Sequence, residues 1–105
     1  MKRAIVALLS LTIFSAAAIA ATRAGDPFEG EKIAKRWCAS CHVVSSDQKR
    51  GNTQAPPFSE IAEKPGLTAA SIALFLLHPH PPMPDMNLTR NEASDLAAYI
   101  KKQGK

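Results

Sequence analysis

Cys38-Ala39-Ser40-Cys41-His42 is the stretch whose residue types and spacing can do chemistry. Two thiols three apart on a helical turn face the same way, and an imidazole follows at once. Each thiol can form a thioether with one vinyl group of a haem. The histidine is then pinned beneath the iron as its proximal nitrogen ligand. Three other chemistries use the same residue types. A thioredoxin-like C-x-x-C needs a βαβ setting, and the sequence has no strand-like alternation. A zinc site needs four ligands, and His78 and His80 could complete Cys38 and Cys41. A plain disulfide closes too short a loop to stabilise much and leaves the histidine unexplained.

The elements that must position this motif are helices. Asp26 is a good N-cap and Pro27 suits the first helical position. The spacing then predicts a helix from Phe28 to about Ala39. Ile33 and Trp37 share one face, and Glu31, Lys32, Lys35 and Arg36 form the polar side. Residues 43–57 read as loop, with Ser45, Ser46, Asp47, Gly51, Asn52, Pro56 and Pro57. A short helix over 58–63 is stopped by Lys64-Pro65-Gly66. Thr68 caps a helix from Ala69 to about Leu77, in which Ile72, Leu74, Phe75, Leu76 and Leu77 predict heavy burial. Four prolines between His78 and Pro84 exclude helix there. Thr89-Arg90-Asn91-Glu92 is a capping box. It opens a last helix to about Lys102, with Leu96, Tyr99 and Ile100 on one stripe. Lys101 and Lys102 sit where the helix dipole favours positive charge.

The chain has 105 residues, enough for one domain. Lys2 and Arg3 precede an apolar stretch from Ala4 to Ala21 that contains Ala18-Ile19-Ala20, a small-x-small cleavage signal. Residues 1–20 are expected to be a cleaved signal peptide for export to the periplasm. The cut is expected after Ala20, with Ala24 a later alternative. An uncleaved anchor competes, but the stretch is barely long enough to span and is rich in alanine rather than leucine. The remaining domain, 21–105, buries only about 60–65% of its unfolded surface and needs a staple. A covalently held haem fills that role better than one short disulfide. Removing Lys2 and Arg3 from the 13 basic residues leaves 11 against 9 acidic ones, a net charge of +2. With no basic stripe and little aromatic interleaving, nucleic-acid binding is not expected.

From Asp26 to Gly104 the chain resembles class I cytochrome c of the short bacterial periplasmic type. The resemblance rests on the C-x-x-C-H motif, on Gly30 eight residues before Cys38, and on Leu96 and Tyr99. It implies an all-α fold of three to four helices around one covalent haem c, held through Cys38 and Cys41. It also implies that the first and last helices cross, with Gly30 letting the aromatic approach the backbone. Ala34 departs from the family, where many members carry an aromatic, and Trp37 is the residue that could compensate. Ala55-Pro56-Pro57-Phe58 is similar to the family's proline segment, whose carbonyl accepts a hydrogen bond from the proximal histidine. Pro56 is assigned that role, with Pro57 the runner-up. Pro82-Met83-Pro84 matches the usual Met-Pro context, which makes Met83 the expected sixth ligand. Met86, His80 and His78 remain alternatives.

A His/Met haem has no open position, so the resemblance implies a single-electron carrier between redox proteins and not an enzyme. The partners expected are redox proteins, including a membrane-bound oxidase or dehydrogenase. A haem subunit of a larger oxidoreductase is one alternative. A ligand-binding sensor or small peroxidase with a labile Met is the other.

Overall fold

A computed structural model describes residues 23–52 and 54–105. The expected signal segment, 1–20, lies outside these residues. Among the described residues there are four α-helices and no strand. Helix α1 spans Pro27–Ile33, α2 Phe58–Glu63, α3 Ala69–Leu77 and α4 Arg90–Lys102. No helix among the described residues is long and apolar enough to cross a membrane.

The starts of α1, α3 and α4 are each set by a local side chain. Asp26 accepts from the Phe28 N–H, with Pro27 behind it in the first turn. Thr68 and Thr89 both close complete capping boxes, with Ser71 and Glu92 respectively. Gly66 takes the left-handed conformation (φ 76°) that ends the connection from α2.

α4 is the centre of the packing: α1, α2 and α3 all lie against it. Its buried side, Ala93, Leu96, Ala97, Tyr99 and Ile100, meets Ala34, Cys38, Val44, Phe58, Ile72 and Leu76 in one core. At the α1–α4 crossing, a β-carbon on Gly30 would fall on the Asp95 carbonyl oxygen and 2.8 Å from Tyr99 Cβ. Only glycine permits this approach. Ala34 is fully buried one turn on. The Asp95 carboxylate, 5% exposed, is matched by Arg23 at 3.1 Å and by the Asp26 N–H at 2.7 Å. Lys101 Nζ donates to the carbonyls of Ala62 and Leu67, so the last turn of α4 closes the end of α2.

Two expectations are corrected. The first helix does not run unbroken to Ala39. After Ile33 it widens into a π-helical turn, Ala34–Cys38, closed by Ala39 N–H to Ala34 O at 3.1 Å. Trp37 lies within that turn. Trp37 is 52% exposed with the Arg36 guanidinium over its ring, so it does not fill the helix crossing beside Ala34. Second, α3 is buried on one side only, by Ile72 and Leu76. Leu74, which does not border the cavity described below, is 63% exposed. α3 packs chiefly on α4, and Phe75 faces a cavity.

Candidate functional site

The π-helical turn delivers Cys38 to the core and the next turn delivers Cys41 and His42 to its edge. Cys38 is buried and Cys41 exposed, with no bond between the two sulfurs. Burial, reinforced by Cys41, pushes the Cys38 thiol up to about 11. Before attachment to haem it is therefore a neutral thiol at physiological pH.

His42 is held by its ring. Nδ1 lies 2.6 Å from the Pro56 carbonyl, and since that oxygen only accepts, Nδ1 carries the proton and Nε2 is left with its lone pair. Pro57 makes no such contact; it serves as the residue before α2. Phe58 packs on the imidazole at 5.3 Å between ring centroids, and Tyr99 packs edge-on behind Phe58 at 6.3 Å. The Tyr99 hydroxyl donates to the Val44 carbonyl at 2.7 Å, and burial pushes its pKa up, keeping it a donor.

Cys38, Cys41, His42, Pro56 and Phe58 border a cavity of about 550 Å³. Cys38, Cys41 and His42 form one wall. Phe58, Ile61, Leu67, Ile72, Phe75 and Leu76 supply apolar sides from α2, α3 and the connection between them. The segment before α4 supplies the remaining wall, with Met83, Met86 and His80. Met83 is half-buried and packs on the core; His80 is exposed, with Phe75 5.2 Å from its ring. His78 does not border the cavity.

The donor set fits a haem and not the competing chemistries. A neutral Nε2 and a thioether are soft-to-borderline ligands suited to haem iron. Two thiols stand beside them on an apolar wall, where vinyl groups would lie. Among the described residues, no three His, Cys, Asp or Glu side chains come together as a metal site, so the zinc reading lacks its ligands. The thioredoxin reading lacks its strands among the same residues.

Sequence reasoning missed Gln48, whose side chain bonds to the Val44 amide and to the carbonyls of Ala39, His42 and Arg50. It also missed Arg23 on Asp95. Neither has a sequence signal: the partners of Gln48 lie within 9 residues but along an irregular loop, and that of Arg23 lies 72 residues away.

The cytochrome c family model matches residues 28–104. The chain is 44% identical over 98 residues to cytochrome c-552 of Bradyrhizobium diazoefficiens, covering 93% of this chain and 90% of that protein. No solved structure matched. The matched region takes in both cysteines, the histidine and every wall of the cavity. The chain therefore belongs to the cytochrome c family, and Cys38 and Cys41 are the residues through which it binds haem c covalently.

Proposed function

We propose that this protein is a periplasmic single-electron carrier, not an enzyme, whose haem iron is held by His42 and Met83. The observation that carries the reading is that His42 and Met83 border one cavity together with the two cysteines. When bound, the haem supplies a one-electron ferric/ferrous couple. The protein's own residues set the terms of that couple. The Pro56 carbonyl holds the Nδ1 proton, which fixes the tautomer and makes Nε2 a stronger donor. Met83 is held between two prolines and packs on the core, so its sulfur keeps a fixed place; a neutral thioether favours the ferrous state. Ile72, Phe75 and Leu76 exclude water from the cavity and raise the potential further.

Cleavage after Ala20 and export are supported by the signal-like residues 1–20. The name of the Bradyrhizobium relative, cytochrome c-552, agrees with the carrier role. The partners are redox proteins that meet the haem edge.

The test is carbon monoxide binding to the reduced protein, read together with the far-red sulfur–iron band of the ferric form. The carrier reading expects the band and no rapid binding. Rapid binding by the wild-type protein would turn the assignment to a sensor or peroxidase. Intact mass of the exported protein fixes the N-terminus; a mass that retains residues 1–20 overturns the cleavage.

A further inference from the structure

A loop must find partners for its backbone polar groups, and around His42 those partners can be followed one by one. The Cys38 carbonyl accepts from the N–H groups of Cys41 and His42, at 3.1 and 2.8 Å. The Cys41 carbonyl accepts from Asn52 N–H at 2.6 Å, and that of Val43 from Phe58 N–H at 2.9 Å. The carbonyls of Ala39 and His42 both go to one side chain. Gln48 Nε2 lies 2.9 Å from Ala39 O, 2.8 Å from His42 O and 2.7 Å from Arg50 O. Its Oε1 accepts from Val44 N–H at 2.9 Å.

A primary amide has two N–H donors and one acceptor oxygen. Three carbonyls here share two protons, so one N–H is bifurcated. Few other side chains can do this. A carboxylate has no donor, an ammonium has no acceptor, and asparagine is one methylene shorter.

We propose that Gln48 is the positioning residue for His42. It ties the histidine's own carbonyl, and a carbonyl inside the attachment motif, to the Val44 amide. The inference rests on His42 being the iron ligand. His42 is then held from two sides. Pro56 fixes the rotation of the ring, and Gln48 fixes the backbone from which the ring hangs. Val44 carries the clamp into the core, because Tyr99 of α4 holds the carbonyl of the residue whose N–H Gln48 holds.

Gln48→Met keeps length and bulk and removes all four bonds. In the ferric holoprotein, the hyperfine-shifted ring protons of His42 report the orientation of the imidazole. The wild type should give one sharp set. Gln48→Met should give several sets or exchange-broadened signals, and so should Gln48→Glu, which keeps the acceptor and lacks the donors. Gln103→Met, which removes an amide bond to the Tyr99 carbonyl away from the cavity, should leave the His42 signals unchanged. A lower melting temperature in Gln48→Met with a single unshifted His42 set means that Gln48 only stiffens the loop, and overturns the proposal. If Gln48→Met takes up no haem, the wild type decides. Its Gln48 amide protons should exchange roughly tenfold more slowly than those of exposed Asn91, which does not border the cavity; equal rates overturn the clamp. Absence of any hyperfine-shifted histidine ring in the wild type overturns the ligand assignment of His42, and this role with it.

Discussion

Gly30 in α1 faces the Asp95 carbonyl in α4 with no room for a β-carbon between them. The obstacle is backbone on one side and Tyr99 Cβ on the other, and neither is the far end of a flexible side chain. Gly30→Ala should therefore push the two helices apart and destabilise the holoprotein by about 2–3 kcal/mol, in the range of other overpacked cores. Denaturant unfolding followed at the haem band measures this. An unchanged midpoint would mean the crossing yields more easily than its contacts imply.

Met83→Ala should open the sixth position. The ferric far-red band should vanish, the potential should fall, and the reduced form should bind carbon monoxide. Met86→Ala should leave all three nearly unchanged, although Met86 also borders the cavity. Opposite behaviour of the two variants assigns Met86 instead. An unchanged spectrum in both assigns a histidine, and His80 is the one on the wall.

The double variant Cys38→Ala, Cys41→Ala should be largely unfolded. The cavity is about 550 Å³. At about 24 cal/mol per Å³ an unfilled space of that size costs on the order of 10 kcal/mol. That equals the whole stability of an ordinary domain. Circular dichroism on heating checks it: a cooperative, native-like transition in the double variant is the contrary result.

The capping box of α4 carries a pH dependence. Bonds from the Thr89 backbone and side chain hold the Glu92 carboxyl below its ordinary range. A carboxyl whose folded pKa is lowered stabilises the fold fully above the unfolded value, about 4.3 for glutamate. That contribution is lost as pH falls through the folded value. Glu92→Gln should therefore melt below the wild type at neutral pH, and the two should converge in acid. Thr89→Ala should cost about 1 kcal/mol. A gap between Glu92→Gln and wild type that is constant from pH 7 to pH 3 argues against the assignment.

The all-helical fold was legible because its signals are local. Asp26-Pro27, Thr68 and Thr89 each mark a helix start with a side chain two or three residues from its partner. The attachment motif and the cavity residues Met83 and Pro56 could likewise be named from short patterns. What escaped is set by geometry that no short pattern encodes. Trp37 follows Ile33 by four residues, and nothing in the sequence marks the widened turn that lies between them. Leu74 is as apolar as Ile72, and nothing local says which side of α3 meets α4. Gln48 is an ordinary polar loop residue until the loop closes around it.

The crossing of α1 and α4 also sets an order of events during synthesis. The first helix of the domain has its main partner in the last 13-residue helix, and Arg23 and Asp26 reach Asp95 across about seventy residues of chain. α2 and α3 also rest on that same last helix. Until Arg90–Lys102 has left the ribosome, none of the earlier helices has the surface it packs on. A chain without α4 therefore lacks the common packing surface of α1, α2 and α3, and Cys38 has no closed core around it until that helix docks.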